Sequence, residues 1–281
     1  MMINNQQSIN SIEKISHEIR LRIVELTFQS RKYGAHIGGS LSSVEILATL
    51  FHSVVQNKPN SIEERDRVIL SKGHAALALY CVLESVGLLS KEELDTFEGN
   101  GSQFLAHAKR DITKGLEFSG GSLGLGISYA VGVALACKAK GINNQIYVLL
   151  GDGECDEGLV WEALMCVKNY NLTNFTAIVD FNHLQADGFT EEVMNTDSLF
   201  DKFTAFGFKT IETDGHSIKD LVGAFGKRSD SKPNAIIART IKGKGISFME
   251  NKRNWHHGIL SDIQYKKAID ELNKWNSTDG E

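Results

Sequence analysis

The feature of this sequence that most constrains its fold is a regular alternation of short apolar segments with amphipathic segments in its second half. The apolar segments QIYVLL, FTAIVDF, FKTIE and NAIIART have the length and residue types of strands. Between them lie the helical segments EGLVWEALMCVKNY, SLFDKFTAF and SIKDLVGAFGK. Strands and helices that alternate in this way form βαβ units, so the pattern predicts a parallel sheet covered by helices on both faces.

The first half of the chain has a mainly helical pattern. Isoleucine and leucine recur at steps of three and four over residues 9–26, which indicates an amphipathic helix. A strand is predicted over 67–70, and Ser90 with Glu93 has the spacing of a capping box. We therefore predict an α/β protein with three αβα layers, a mostly parallel sheet and a helical N-terminal lead-in. Residues 1–281 are expected to form a single domain.

Composition and charge argue against several classes of protein. With 30 Lys and Arg against 35 Asp and Glu, the net charge is −5, so no basic field is available for nucleic acid or an anionic membrane. No apolar run approaches the roughly 18–20 residues of a membrane span, and the polar N-terminus lacks a secretory signal. The four cysteines form no C-x-x-C pair, which argues against a disulfide framework or a cysteine zinc site and fits a reducing cytoplasm.

Two oxygen-bearing side chains follow neighbouring strands of the predicted sheet. Asp152 lies in a Gly-Asp-Gly turn directly after one strand, and Asn182 lies at the end of the next strand. Both turns emerge at the carboxyl edge, where α/β proteins bind ligands, and their oxygens suit Mg²⁺ or Ca²⁺ rather than Zn²⁺. Gly151 and Gly153 would let the backbone approach a phosphate. On spacing alone, a capping Asp and an unrelated strand-end Asn explain the pattern equally well.

A longer pattern surrounds these two residues. The stretch GDGECDEGLVWEALMCVKNYNLTNFTAIVDFNHLQADG resembles the thiamine diphosphate and metal-binding motif, in the version found in transketolases. Four further segments resemble transketolase segments and occur in the order of that family: GAHIGGSL, LSKGHA, GGSLGLGIS, and KGKGISFM followed by WHH. Five separated motifs in one order make the resemblance specific, and it extends from about residue 17 to the C-terminus.

The resemblance implies a thiamine diphosphate-binding fold and assigns roles to individual residues. Asp152 and Asn182 would bind Mg²⁺ through their side chains and Leu184 through its carbonyl, with Ca²⁺ or Mn²⁺ as alternative ions. The residues that would contact the cofactor are His74, Gly121, Ser122, Leu123, Gly151, Asp152, Gly153, Glu154 and Asn182. The catalytic residues would be His36, His107 and His256, which would face the reacting sugar, and Glu157, which would reach across a subunit interface.

Each of these histidines also has a plain structural interpretation. His36 would hydrogen-bond a glycine-rich turn, His74 would cap the helix that follows it, and His107 would be solvated in a polar loop. Transketolases carry a single histidine where this chain has His256 and His257, and the sequence leaves open which of the two corresponds to it. A histidine zinc site has little support, since no H-x₃-H or H-x-x-E-H spacing occurs.

The resemblance also implies that this chain acts with a partner. Transketolases continue into a pyrimidine-binding domain and a further C-terminal domain, and this sequence ends at Glu281 soon after its last predicted helix. We therefore expect those domains on a separate subunit, in a heterotetramer that is active only when assembled.

The expected reaction transfers a two-carbon ketol unit from a ketose to an aldose, with His256 and the nearby His36 moving the proton. Both substrates would be sugar phosphates. Their identity stays open between the pentose phosphate pathway and a branch that handles unusual or sulfonated sugars.

Two other functions compete with this interpretation. The α subunit of a 2-oxo acid dehydrogenase shares the cofactor motif, but it would lack the segments around His36 and His74. A non-catalytic scaffold that only binds the cofactor would have no use for acid–base histidines, and these are present in the sequence.

Overall fold

A five-stranded parallel β-sheet forms the centre of the computed structural model, which describes residues 6–56 and 63–278. The strands are β1 (Arg67–Leu70), β2 (Ile146–Gly151), β3 (Phe175–Phe181), β4 (Lys209–Asp214) and β5 (Asn234–Arg239). Their order across the sheet is β1-β2-β3-β5-β4, and every neighbouring pair runs parallel. All five strands lie where the sequence pattern predicts them.

Both faces of the sheet are buried. Along β2, Ile146, Val148 and Leu150 face one layer of helices, whereas Tyr147 and Leu149 face the other. Because β2 presents apolar side chains to both faces, its sequence is a continuous apolar run rather than an alternation of polar and apolar residues. The structure therefore confirms the predicted three-layer αβα arrangement.

Helices cover the two faces in separate groups. The helices are α1 (Gln6–Gln29), α2 (Ile37–Ser42), α3 (Val44–Thr49), α4 (Ala76–Ser85), α5 (Lys91–Leu94), α6 (Leu125–Ala139), α7 (Gly158–Asn169), α8 (Thr190–Val193), α9 (Leu199–Ala205), α10 (Ile218–Gly226) and α11 (Asp262–Thr278). A π-helical turn, Leu50–Val54, extends α3. Helices α1–α4, α10 and α11 pack on one face of the sheet, and α6, α7 and α9 pack on the other. Within the described ranges, no helix combines the length and apolar character needed to cross a lipid bilayer.

The predicted helical lead-in is part of the main core. Helix α1 packs against α3, α4 and α11, and its Ile12, Ile19 and Ile23 side chains are buried. At the start of α5, the Ser90 hydroxyl accepts a hydrogen bond from the Glu93 N–H at 3.2 Å, and the Glu93 carboxylate accepts one from the Ser90 N–H at 2.9 Å. The predicted capping box is thus present.

A buried carboxylate ties together three loops at the carboxyl edge of the sheet. Glu154, which is 2% exposed, accepts hydrogen bonds from the Ser71 hydroxyl at 2.5 Å, from the Gly124 N–H at 2.9 Å and from the Gly151 N–H at 3.1 Å. Ser71 follows β1, Gly151 ends β2, and Gly124 precedes α6. One side chain therefore fixes the relative positions of these loops.

Candidate functional site

A cleft of about 330 Å³ opens at the carboxyl edge of the sheet. The predicted site residues that line it are His36, His74, His107, Gly121, Leu123, Gly151, Asp152, Gly153, Glu154, Asn182, Leu184 and His256. Its other lining residues, to which the sequence assigned no role, are Gly39, Lys72, Gln185, Ala186, Asp187 and Lys242. One cleft therefore collects residues from segments that are far apart in the sequence.

Backbone hydrogen bonds hold Asp152 in place. This residue follows β2 directly and is 5% exposed. One carboxylate oxygen accepts a hydrogen bond from the Gly153 N–H at 2.8 Å, and the other accepts one from the His183 N–H. Burial, together with the charge of Asp180, raises the pKa of Asp152 to about 7, so a bound cation would stabilise the ionised carboxylate.

Asn182 and Leu184 lie on the turn that follows β3. The Asn182 Oδ1 accepts a hydrogen bond from the Leu184 N–H at 3.1 Å. Between them, His183 adopts the left-handed conformation with φ of 61°, and its N–H meets Asp152. The turn thus brings together the two strand ends whose meeting the spacing predicts. We call Asp152, Asn182 and the Leu184 carbonyl the oxygen floor.

The oxygen floor has the donor chemistry of a site for a hard divalent cation. A carboxylate, an amide oxygen and a backbone carbonyl are ligand types that Mg²⁺, Ca²⁺ and Mn²⁺ prefer. Among the described residues, no group of three or more His, Cys, Asp or Glu side chains is arranged to hold a metal ion. A cation at the oxygen floor would have one anionic protein ligand, and its remaining positions suit an anionic molecule such as a diphosphate.

Five imidazole rings lie close together, and four of them line the same cleft. The ring centres of His74, His107, His256 and His257 lie 5.7, 5.3, 5.5 and 4.7 Å from that of His36, respectively. The five rings come from four segments, which precede α2, follow β1, precede α6 and precede α11. We call these five residues the histidine cluster.

Burial keeps three rings of the histidine cluster uncharged. Burial, followed by the charges of neighbouring groups, lowers the pKa of His36 to about 3 and that of His256 to about 4. The same causes hold the pKa of His74 well below its ordinary value. A neutral imidazole has one donor and one acceptor nitrogen.

A short backbone bridge determines where His256 and His257 lie. The Ala35 N–H donates to the Gly258 carbonyl at 3.0 Å, and the Gly258 N–H donates to the Ala35 carbonyl at 2.9 Å. Gly34 makes this approach feasible, because a Cβ atom built there would lie 2.4 Å from the Gly258 oxygen. The bridge fixes both adjacent histidines beside the segment that carries His36.

The two adjacent histidines differ in their surroundings. His256 is half-buried, lines the cleft and accepts a hydrogen bond at Nδ1 from the Lys242 ammonium at 3.0 Å. Since an ammonium can only donate, the proton of the neutral His256 ring is on Nε2. His257 is exposed and does not line the cleft, although its ring is the one closest to His36. The geometry therefore favours His256 as the histidine that faces a ligand in the cleft.

A buried ion pair underlies the cleft and was not predicted. Lys72 and Asp180 are at most 1% exposed, and the ammonium donates to the Asp180 carboxylate, to the Gly39 carbonyl at 3.2 Å and to the Ser43 hydroxyl at 3.1 Å. Burial opposes ionisation of Asp180, but the Lys72 charge outweighs it and brings the pKa below its usual value. The Asp within the apolar strand segment FTAIVDF could have indicated this ion pair, because a buried carboxylate requires a partner that compensates its charge.

A second buried lysine lies beside the oxygen floor. Lys242 is 2% exposed, and its ammonium donates to the Leu184 carbonyl at 2.8 Å and approaches the Gln185 carbonyl at 3.5 Å. Burial, with the nearby Lys72 charge, lowers the pKa of Lys242 to about 8. The segment KGKGISFM carried this lysine in the sequence, but nothing in the pattern indicated that it would be buried.

Two predicted site residues lie outside the cleft. Ser122 is exposed in the loop before α6, and Glu157 is exposed at the start of α7. Gly124 packs beside Glu157, since a Cβ atom built on this glycine would lie 3.1 Å from the Cβ atom of Glu157. Glu157 therefore adjoins the loop that leads into α6 and remains accessible to another molecule.

Comparison with known proteins identifies relatives that span almost the whole chain. The model of the family described as "Transketolase, thiamine diphosphate binding domain" matches residues 13–277. An apulose-4-phosphate transketolase subunit from Phocaeicola vulgatus is 38% identical over 270 residues, which cover 95% of this chain and 95% of that protein. The 6-deoxy-6-sulfo-D-fructose transketolase subunit SqwG of Clostridium sp. (strain MSTE9) is 42% identical over 243 residues, 85% of this chain and 88% of that protein.

The solved structures give the same fold within a longer chain. The transketolase of Campylobacter jejuni superposes with a TM-score of 0.84 at 29% sequence identity, over 96% of this chain and 43% of that one. The present chain thus spans less than half of that transketolase. The superposition confirms the predicted α/β fold.

Proposed function

Because this chain belongs to the transketolase family, we propose that it is the N-terminal subunit of a two-subunit transketolase. The reaction would transfer a two-carbon ketol unit from a ketose donor to an aldose acceptor, and it would use thiamine diphosphate and a divalent cation. The observation that carries the proposal is that the oxygen floor shares one cleft with four of the five rings of the histidine cluster.

The oxygen floor would hold Mg²⁺, or Ca²⁺ or Mn²⁺ in its place, and the cation would bind the diphosphate of the cofactor. Gly153 supports this role, because a Cβ atom there would lie 2.6 Å from the Gln185 side chain and crowd the loop. Loop 120–124 and His74 would contact the rest of the cofactor. Glu154 would act indirectly, since its carboxylate is engaged in tying the loops together.

The side chains of this chain would position the cofactor and the substrate and would transfer the proton. When bound, thiamine diphosphate supplies the nucleophilic carbon that cleaves the ketose and carries the two-carbon unit. His256, with His36 and His107 beside it, would move the proton of the hydroxyl next to the bond that breaks. At pH 7 both rings are neutral, so His36 keeps an acceptor nitrogen, whereas in His256 the acceptor Nδ1 takes the Lys242 hydrogen bond and the donor is Nε2–H.

The substrates would be sugars with an anionic end, most simply sugar phosphates. The names of two relatives support this, because apulose 4-phosphate carries a phosphate and 6-deoxy-6-sulfofructose carries a sulfonate. Within the cleft, Lys72 is paired with Asp180 and Lys242 bonds to backbone carbonyls. The groups that grip the anionic end would therefore come from a partner.

The partner would be a subunit that carries the pyrimidine-binding domain, in a cytoplasmic heterotetramer. The relatives named as transketolase subunits support this organisation. Glu157 would extend toward that subunit, and the exposed side chains of Leu125 and Leu159, 44% and 38% exposed, provide an apolar surface beside it. A subunit that covered these side chains would place them in the apolar core of the interface.

Reconstitution with the companion subunit tests the proposal. The purified chain, the companion protein and their mixture are each assayed with ketose donors and aldose acceptors in the presence of thiamine diphosphate and Mg²⁺. We expect ketol transfer only from the mixture, and its loss when either cofactor or cation is omitted. Turnover by the chain alone would contradict the need for a second subunit, and an inactive mixture with every donor and acceptor would contradict the activity itself.

A further inference from the structure

The ammonium group of Lys242 is bonded to an atom of the oxygen floor. Its Nζ lies 2.8 Å from the Leu184 carbonyl oxygen, the atom that would be the backbone ligand of the cation. The lysine also donates to His256 Nδ1 at 3.0 Å. A cation that binds the oxygen floor therefore meets a positive charge already engaged with one of its ligands.

The position of this ammonium is fixed by the backbone around it. The Gly243 N–H donates to the Gly38 carbonyl at 3.0 Å, and the Asn251 N–H donates to the Lys242 carbonyl at 2.9 Å. Gly38 also makes room for the lysine stem, because a Cβ atom there would lie 3.2 Å from Lys242 Cγ. With only 2% of the residue exposed, the side chain has little freedom to swing into solvent.

Buried charged groups of both signs surround the oxygen floor before any ligand binds. Three buried carboxylates, Asp152, Glu154 and Asp180, lie near two buried ammonium groups, those of Lys72 and Lys242. Lys72 is paired with Asp180, so Lys242 is the cation left to neutralise Asp152. A divalent cation alone would be placed close to the Lys242 charge, whereas a cation with a diphosphate brings its own compensating charge.

We propose that Lys242 is an internal stand-in for the metal, which occupies the Leu184 carbonyl and neutralises Asp152 until a cation arrives together with a diphosphate. This inference rests on the metal site proposed above and adds the order in which its ligands bind. Free cation binds weakly, and the anion and the cation enter as a pair.

Binding of Mn²⁺ to this chain tests this directly, with free Mn²⁺ counted by its electron paramagnetic resonance signal and the Mn²⁺ held by pyrophosphate in protein-free samples subtracted. For the natural chain we expect weak binding of Mn²⁺ alone and binding at least about tenfold tighter when inorganic pyrophosphate is present, because a nearby like charge opposes the lone cation. In Lys242→Gln, which keeps a hydrogen-bond donor and removes the charge, Mn²⁺ alone binds about tenfold tighter than to the natural chain.

Two controls make the outcome specific. Lys244→Gln removes a charge two residues away, from a lysine that lies 3.6 Å from Glu250, and is expected to leave Mn²⁺ binding unchanged. Lys242→Met is a second variant for the case in which Lys242→Gln fails to fold, with folding followed by circular dichroism. Equal or weaker Mn²⁺ binding in the folded Lys242 variants overturns the stand-in role while leaving the metal site intact. Absence of Mn²⁺ binding in all proteins, even with thiamine diphosphate and the companion subunit, rejects the metal site and the inference together.

Discussion

The oxygen floor and the histidine cluster share one cleft but are built in different ways. The floor comes from a single βαβ unit, and backbone N–H groups of Gly153, His183 and Leu184 fix its oxygens. The histidine cluster is gathered from four distant segments, and its rings contact mainly one another. Within the described part of the chain, His36 Nδ1 is buried without a hydrogen-bond partner.

This difference corresponds to the two tasks proposed for the site. A cation and a diphosphate need fixed oxygen positions, which local backbone bonds provide. Proton transfer needs nitrogens that are not already engaged, and a buried ring with a free nitrogen provides one. We therefore expect changes in the oxygen floor to affect cofactor binding, and changes in the histidine cluster to affect turnover.

Asp152→Asn is expected to have the largest effect. The change removes the anionic ligand of the oxygen floor while its shape is kept. Loss of a residue that only supports a metal ligand costs about 10- to 100-fold in affinity, so loss of the ligand itself should weaken Mg²⁺-dependent binding of thiamine diphosphate more than about 100-fold. Isothermal titration calorimetry of the assembled complex measures this affinity.

Asp156→Asn is the matched control for that substitution. Asp156 lies four residues along the chain, does not line the cleft and is hydrogen-bonded by the Gln185 side chain. Its replacement should leave cofactor affinity close to that of the natural protein. Equal affinities for the two variants would remove the assignment of Asp152 as the metal ligand.

His36→Asn tests the role of the histidine cluster. The change removes the imidazole at the centre of the histidine cluster, and loss of one acid–base group lowers kcat by about 100-fold or more. Cofactor affinity should stay within about twofold of that of the natural protein, because the substitution touches no ligand of the oxygen floor. Steady-state kinetics and calorimetry on the same preparation separate the two readouts.

His52→Asn serves as the control for His36. His52 bonds to the Ser85 hydroxyl at 2.9 Å and lies on the π-helical turn after α3, outside the cleft. Replacement of His52 by Asn should change neither kcat nor cofactor affinity. If His36→Asn abolished cofactor binding but left kcat of the loaded enzyme unchanged, the division of tasks would be wrong.

His183→Asn is expected to have the smallest effect, and it sharpens the comparison within the oxygen floor. His183 contributes its N–H to Asp152, whereas its exposed ring lies tilted against the Phe181 ring, with the ring centres 4.1 Å apart. Asparagine tolerates the left-handed backbone, so cofactor affinity should change by about twofold or less. A loss comparable to that of Asp152→Asn would show that the side chain, not the backbone, does the binding.

The sequence predicted from local information that two members of the oxygen floor, Asp152 and Asn182, lie close together, whereas Leu184 was assigned only through the family resemblance. Parallel strands end at one edge of the sheet, so the spacing of Asp152 and Asn182 within one βαβ unit sufficed to bring them together. The histidine cluster could be inferred only through the family resemblance, because nothing local relates His36 to His256. Their proximity depends on tertiary contacts such as the Ala35–Gly258 bridge.

The sequence did not indicate which charged residues of the site are buried. Lys72 and Lys242 belong to segments that were recognised, but lysine is usually exposed, and periodicity does not show where a chain folds back on itself. Their burial depends on partners distant in sequence, Asp180 for one and the Leu184 carbonyl for the other.

The Ala35–Gly258 bridge also bears on the order in which the cleft is completed during synthesis on the ribosome. Its two halves are synthesised more than 200 residues apart, and the residues of the oxygen floor are all in the nascent chain well before His256 and His257 emerge. Until those two histidines have been translated, the acid–base half of the cleft is incomplete. Each newly made molecule would therefore have the residues proposed to hold a ligand before it has the last two of the histidines proposed to act on one.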